Sequence, residues 1–315
     1  MRLSFRLLCL IPVASLAVAR AEGVGWRGDG TGRYPDARPA LEWGNESHVQ
    51  WRTPTASWSN ATPVVIGERV FITGGTGFVG KWLLESLLWA ADRLDLGVRV
   101  TMLTRDPGKF GRDAPHLANH SAVRLHQGDV RSFEFPDGAF SQVVHAAAQF
   151  SSVRGRVAPG TTLDSIDLGT RRVLELARRC GAGRLLFVSS GAVYGPQAPS
   201  TARISEEQLT APDPTDLASA YAEGKRVAES LCRIAQQDSG VETKIARCFA
   251  FVGPYLPLDA GYAVGNFLAD AMKGGPVHVT GDGTPRRSYL YAADLAIWLW
   301  TILFKGASCH PYNVG

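Results

Sequence analysis

Apolar residues follow two different rhythms along this chain, and the change falls at Arg69. Between Glu22 and Glu68 the sequence is rich in Gly, Pro, Trp, Ser and Thr. Short β-prone pieces such as Thr62-Pro63-Val64-Val65-Ile66 sit between turn residues, with little helical period. From Arg69 onward, apolar strands alternate with amphipathic helices. Strand patterns occupy Arg69–Thr73, Val98–Thr104, Ala122–Gln127, Gln142–Ala148, Arg184–Ser189 and Thr243–Cys248. Between them, Lys81–Arg93 carries Leu83, Leu84, Leu87 and Leu88 at helical spacing. Two more helices are expected at Thr170–Arg179, stopped by Gly181, and Tyr221–Gln237, stopped by Gly240. Strand–helix alternation predicts an α/β fold built on a doubly wound parallel sheet.

At the first strand–helix junction stands Gly74-Gly75-Thr76-Gly77-Phe78-Val79-Gly80. Its GxxGxxG spacing suits a backbone that turns tightly and approaches a pyrophosphate, which then rests on the free N–H groups of the following helix. The expected architecture is a Rossmann-type nucleotide-binding domain over 69–250, followed by a smaller stretch over 251–315, which the family resemblance carried by the motifs of this chain implies to be a partial substrate-binding domain.

The N-terminus points elsewhere. Arg2 and Arg6 precede an apolar run, Leu7–Ala19, and Ala19-Arg20-Ala21 reads as a cleavage site, the pattern of a secretory signal peptide over 1–21. That run, like Leu295–Phe304 near the other end, is too short to span a bilayer, and the second is expected to be a buried helix. Trp51-Arg52-Thr53-Pro54, Trp58–Val65 and Arg69-Val70-Phe71 resemble the opening of exported PQQ-like β-propeller proteins. One such segment cannot close a propeller, so the chain reads as a leader and a β-prone extension (22–68) joined to a cytoplasmic type of enzyme. Export and cytoplasm therefore conflict.

Composition narrows the partners. With 33 basic and 29 acidic residues the formal charge is only +4, and the basic residues are scattered. A nucleic-acid protein would show a basic stripe. Mild basicity suits an anionic small molecule equally well. The five cysteines (Cys9, Cys180, Cys232, Cys248, Cys309) include no CxxC pair, which excludes a short-spaced zinc site and argues against a disulfide framework.

Candidate chemistry gathers late in the sheet. Tyr221 and Lys225 lie at i and i+4 on one helical face, where an ammonium would favour the phenolate and let the tyrosine trade a proton at neutral pH. Ser190, ending a strand, offers a hydroxyl to polarise a carbonyl. Arg105, after the second strand, could meet a 2′-phosphate and tilts the cofactor from NAD toward NADP, while Asp106 keeps NAD open. Asp129, in Gly128-Asp129-Val130, could accept the adenine amino group.

From about Arg69 to Gly315 the chain resembles the NAD-dependent epimerase/dehydratase family, the extended short-chain dehydrogenases. The pieces that match are Gly74–Gly80, Gly128-Asp129-Val130, Val144-His145-Ala146-Ala147-Ala148 and Val188-Ser189-Ser190-Gly191-Ala192-Val193-Tyr194-Gly195. They continue with Tyr221–Lys225, Gly253-Pro254, Gly281-Asp282-Gly283 and Arg287–Asp294. The resemblance implies that Ala146 and Ala147 line the cofactor groove and that His145 is a packed strand residue. It implies that Tyr221 is the acid/base with Lys225 and Ser190 assisting, and that Asn266 and Arg287 contact the substrate's nucleotide diphosphate. It also implies a nucleotide-sugar substrate and, in many members, a homodimer. Three departures stand out. Gly191-Ala192 replaces the Asp-Glu of the dehydratases, Ile166 stands where an Asn is usual, and the family usually continues well past Tyr312–Gly315. The reaction expected is redox chemistry at a sugar C4, as a 4-epimerase or 4-ketoreductase. The alternatives are a reductase of a non-nucleotide carbonyl and a non-catalytic exported binding or scaffold protein.

Overall fold

The computed structural model describes residues 69–148, 157–198, 201, 203–258, 261–279, 281–283 and 287–315. The signal-like leader (1–21) and the β-prone, propeller-like extension (22–68) lie outside the described residues.

Seven strands form one parallel sheet. In chain order they are β1 (Arg69–Thr73), β2 (Arg99–Thr104), β3 (Val123–Gln127), β4 (Gln142–His145), β5 (Arg184–Ser190), β6 (Glu242–Cys248) and, after a short excursion, the last strand (Pro311–Val314). Two further strands, β7 (Ala250–Val252) and β8 (Tyr289–Tyr291), pair with each other in a small separate ladder, which makes the last strand β9. The order across the main sheet is β3-β2-β1-β4-β5-β6-β9. The chain winds outward from β1 in one direction and restarts at β4 in the other, so a crevice opens beyond the carboxyl ends of β1 and β4.

The helices are α1 (Phe78–Leu94), α2 (Pro107–Asp113), α3 (Pro115–Ala118), α4 (Pro159–Arg179), α5 (Ala220–Ser239), α6 (Ala263–Met272) and α7 (Ala292–Lys305). Successive strand residues face opposite sides of the sheet, and each side has its own core. On one side Val70, Ile72, Val144 and Leu186 meet Leu83, Leu84 and Leu87 of α1 and Leu295, Leu299 and Leu303 of α7. On the other, Phe71, Val143, Leu185, Phe187 and Ile245 meet Val173 and Leu176 of α4 and Ala228 and Cys232 of α5. Burying each of these large side chains stabilises the fold by about 2 kcal/mol.

Strand edges shift by at most one residue from the sequence pattern except in β4, which ends three residues early at His145, and α4 starts eleven residues before the expected Thr170, at Pro159. Its first turns bury Thr162 and Ser165 while Leu163 and Leu168 are exposed, which hides the period. From the stretch assigned to the substrate side, α7 packs against α1 and β9 pairs with β6, because their apolar faces complete the first core. Among the described residues of that stretch, β7, α6 and β8 stand apart from the main sheet. The Leu295–Phe304 run is the buried helix α7, and no helix among the described residues is long and apolar enough to cross a membrane.

Candidate active site

The first half of the site is a turn of bare backbone. β1 ends at Thr73, and the Gly77 N–H closes the turn by donating to the Gly74 carbonyl at 3.1 Å. Gly74 has φ +76, and a Cβ there would lie 2.5 Å from the Ala146 carbonyl carbon. A Cβ on Gly80 would lie 2.2 Å from the Gly74 oxygen. Strand end, turn and helix therefore pack backbone against backbone, which only glycine permits. α1 begins after Gly77 with no side-chain cap and no acidic residue in its first turn. Its first amides stay open to an anion at the positive end of the helix.

Above this turn lies an open groove lined by Gly74, Thr76, Gly77, Thr104, Arg105, Asp129, Val130, Ala146, Ala147 and Ser165. Most of the sequence-proposed cofactor residues meet here. Phe78 and Val79 do not face the groove, since their side chains pack on the core below, and they contribute through the first turn of α1. Ser165, on α4, was not foreseen, because nothing in its surroundings marks it until α4 is laid beside β4. Arg105 is exposed at the groove's edge. Asp129 is less free than its loop position suggests. Its carboxylate accepts from Arg131 Nε at 2.8 Å, Nη2 at 3.2 Å and the backbone N–H at 3.0 Å. These bonds hold its pKa below the usual carboxylate range. Bare turn, uncapped helix and basic edge together fit a dinucleotide.

His145 forms the floor between the two halves of the site. It is buried, with Nδ1 2.7 Å from Thr73 Oγ1 and Nε2 3.2 Å from Thr170 Oγ1. Burial, helped by the charge of Lys225, pushes its pKa down to about 3, so the ring is neutral and structural. Thr73 Oγ1 also accepts the Ala147 N–H at 3.3 Å, which fixes the groove wall.

The second half is the hydroxyl, phenol and amine. Ser190 ends β5, and its Oγ accepts the Ala192 N–H at 3.1 Å. Its side chain also hydrogen-bonds to the Tyr221 phenol in the first turn of α5. Lys225 follows one turn later, almost wholly buried, with Nζ donating to the Val188 carbonyl at 2.6 Å. The ammonium lies 4.6 Å from the Phe187 ring centre and 5.9 Å from that of Tyr221.

One expectation is corrected here. Lys225 was expected to pull the phenol's pKa down, but burial pushes Tyr221 up to about 12, against the opposing Ser190 bond. The ammonium points at a backbone carbonyl rather than at the phenol. Its own pKa is lowered to about 8 by burial, partly offset by Cys248, Cys232 and Glu229. As it stands, the trio holds a protonated phenol beside an amine ready to change charge near neutrality.

The departures noted in the sequence have physical counterparts. Gly191 lies under the Phe249 ring, and a Cβ there would come within 2.5 Å of Cε1. Ile166 is buried and packs on Gly224 of α5. Asn266 lies exposed on α6 and Arg287 is exposed ahead of β8, and neither lines the groove over the glycine turn. Tyr262, which opens α6, is close enough to raise the pKa of Tyr221 further, so α6 begins beside the trio. Among the described residues no cluster of His, Cys, Asp and Glu could hold a metal ion.

A doubly wound sheet with this turn and this Ser-Tyr-Lys arrangement defines an extended short-chain dehydrogenase. The chain belongs to the NAD dependent epimerase/dehydratase family, which it matches over residues 70–315. It is 34% identical over 248 residues to UDP-glucuronic acid decarboxylase 1 of Xenopus tropicalis, covering 79% of this chain and 56% of that protein. The chain thus spans about half the length of the curated relatives it matches. A solved UDP-N-acetylglucosamine 4-epimerase from Methanobrevibacter ruminantium, in complex with UDP-N-acetylmuramic acid, is similar with a TM-score of 0.69. Identity is 20%, over 79% of this chain and 77% of that one. The UDP-glucuronic acid 4-epimerase of Bacillus cereus, in complex with UDP-glucuronic acid and NAD, has a TM-score of 0.65 at 20% identity, over 78% of this chain and 77% of that one.

Proposed function

We propose that this chain is an NAD(P)-dependent enzyme acting at C4 of a nucleotide-linked sugar, as a 4-epimerase or 4-ketoreductase. The observation that carries this reading is the Ser190–Tyr221 hydrogen bond placed beside buried Lys225, across His145 from the bare glycine turn. Gly74, Thr76, Gly77, the start of α1, Ala146 and Ala147 would hold the dinucleotide, with Asp129 and Val130 toward its adenine and Arg105 at the ribose. Arg105 favours a 2′-phosphate and hence NADP. A bound nicotinamide would supply the two-electron redox chemistry that no protein side chain provides.

The protein's share is proton handling and orientation. Ser190 Oγ polarises the sugar oxygen, and Tyr221 Oη takes the hydroxyl proton in oxidation or returns it in reduction. Lys225, one turn away, would hold the nicotinamide ribose through its buried ammonium. Asn266 and Arg287 are proposed to grip the nucleotide diphosphate, with the guanidinium fork on phosphate oxygens. Gly191-Ala192 directly follow Ser190 and offer no carboxylate there, so elimination of water is not part of this reading.

A second reading is favoured by the decarboxylases among the relatives. Oxidising C4 of a hexuronic acid makes a β-keto acid, which loses CO₂ without any further carboxylate from the protein. Incubating the chain with UDP-glucose, UDP-glucuronic acid and UDP-N-acetylglucosamine, each with NAD or NADP, and with a UDP-4-keto sugar and NADH or NADPH, separates these readings. A 4-epimer or a reduced 4-keto sugar supports the first, and CO₂ released from UDP-glucuronic acid supports the second. No product from any of them refutes both.

A further inference from the structure

Three consecutive residues of β5 meet α5, each through a different group. The Val188 carbonyl accepts from Lys225, the Ser190 hydroxyl bonds Tyr221, and between them Ser189 Oγ donates to Glu229 Oε1 at 2.6 Å. Glu229 stands one helical turn beyond Lys225 and two beyond Tyr221, on the same face. Its carboxylate is almost fully committed. Oε1 also accepts from Arg247 Nε at 3.0 Å, and Oε2 accepts from Arg247 Nη2 at 2.7 Å. Both side chains are mostly withdrawn from solvent, at 12% and 15% exposure. Arg247 Nη1 continues to Tyr194 Oη at 2.8 Å, and that hydroxyl donates to Asn313 Oδ1 at 2.8 Å. One carboxylate thereby links α5 to β5, β6 and, through Tyr194, β9.

We propose that Glu229, clamped by Arg247, is a positioning residue that holds Tyr221 and Lys225 in register with Ser190. This inference rests on the function proposed above. Ser189 and Ser190 are neighbours in one strand, so a shift of Glu229 moves the end of β5 against the helix that carries the phenol. A buried, bidentate arginine–carboxylate pair tolerates few alternative geometries, which is what fixing a helix register requires. Glu229 also acts through charge. The groups facing Lys225 are Tyr221, Glu229 and Cys232 from α5, Cys248 from β6 and His145 from β4. Burial lowers the Lys225 pKa, and Cys248, Cys232 and Glu229 each push it back up, so the carboxylate is one of the groups that favour the protonated amine.

The test compares wild type with Glu229→Gln, Glu229→Asp and the double variant Glu229→Gln/Arg247→Met. Glu229→Gln keeps the Ser189 bond and removes the charge. The double variant removes both charges of the pair, so that no buried arginine is stranded and the protein stays folded. Two readouts are taken: the pH dependence of kcat on the nucleotide sugar turned over, and the titration of Lys225 by NMR of 13C-labelled lysine, assigned with Lys225→Met. In folded Glu229→Gln, where Arg247 keeps its charge, the Lys225 titration moves down by about one pH unit, tenfold in proton affinity, and in the double variant, which removes opposite charges together, it moves less. The high-pH limb of kcat moves with it, dinucleotide affinity stays within about twofold, and Glu229→Asp restores part of the shift. An unmoved Lys225 titration in folded Glu229→Gln, or an unchanged kcat and pH profile in the folded double variant, overturns the proposal. If wild type turns over no nucleotide sugar, the functional reading fails by itself, and the NMR titration still decides whether Glu229 governs Lys225.

Discussion

Lys225 Nζ and the carbonyl oxygen of Val188 are 2.6 Å apart, so the buried ammonium is anchored to the strand that ends in Ser190. Burial nevertheless dominates, lowering the lysine pKa from 10.5 to about 8. Between those values the unfolded chain binds a proton that the folded chain does not, so this group's contribution to stability rises with pH from 8 to 10.5. The expected gain is on the order of 3 kcal/mol. Urea unfolding at pH 8 and pH 10 checks it as the difference between wild type and Lys225→Met. Tyr221, Cys232 and Cys248, whose raised pKa values act in the opposite sense at high pH, largely cancel from that difference. A difference that does not change with pH contradicts the assignment.

Tyr221→Phe removes one oxygen from a helix that is otherwise unchanged. Turnover should fall by about a thousandfold, in the range of a lost general acid/base, while dinucleotide affinity holds. Steady-state assay and titration on the same preparation check both halves. Activity within tenfold of wild type would remove Tyr221 from the chemistry.

Gly191 and Phe249 are a size-matched pair, since a Cβ on Gly191 would lie 2.5 Å from the ring. Gly191→Ala should cost about 1–3 kcal/mol, the usual penalty of overpacking. Adding Phe249→Ala should recover most of that loss relative to Phe249→Ala alone. A double-mutant cycle by denaturant unfolding measures the coupling. Additive effects would mean that the ring moves aside freely.

Arg105→Ala should weaken NADPH binding at least tenfold more than NADH binding, because only the former carries the 2′-phosphate that a guanidinium grips. Fluorescence titration with each dinucleotide decides. Equal losses leave no basis for an NADP preference.

Much of this site can be read in the sequence because it is local. The turn from Gly74 to Gly80 announces itself by glycines that the backbone contacts demand, and Tyr221 and Lys225 by a single helical turn. Strand alternation places Phe71 and Ile72 on opposite cores without further information. Long-range contacts are the part the sequence hides. Ser165 joins the groove only when α4 crosses β4, and Phe249 meets Gly191 across 58 positions. Glu229 looks like any exposed helix glutamate until Arg247 and Ser189 close on it. The expected effect of Lys225 on Tyr221 failed for a related reason: helical spacing places the two groups on one face, but burial and the Val188 carbonyl decide where the charge goes.

The central claim, that the bare glycine turn holds a dinucleotide beside Tyr221, is tested most directly by titrating the full chain with NADH and NADPH and following nicotinamide fluorescence. Wild type and Tyr221→Phe should saturate at the same concentration. Gly80→Ala, whose Cβ would lie 2.2 Å from the Gly74 oxygen, should bind at least tenfold more weakly, a loss of about 1.4 kcal/mol. No saturable binding in wild type, or undiminished binding in a folded Gly80→Ala, would contradict the account.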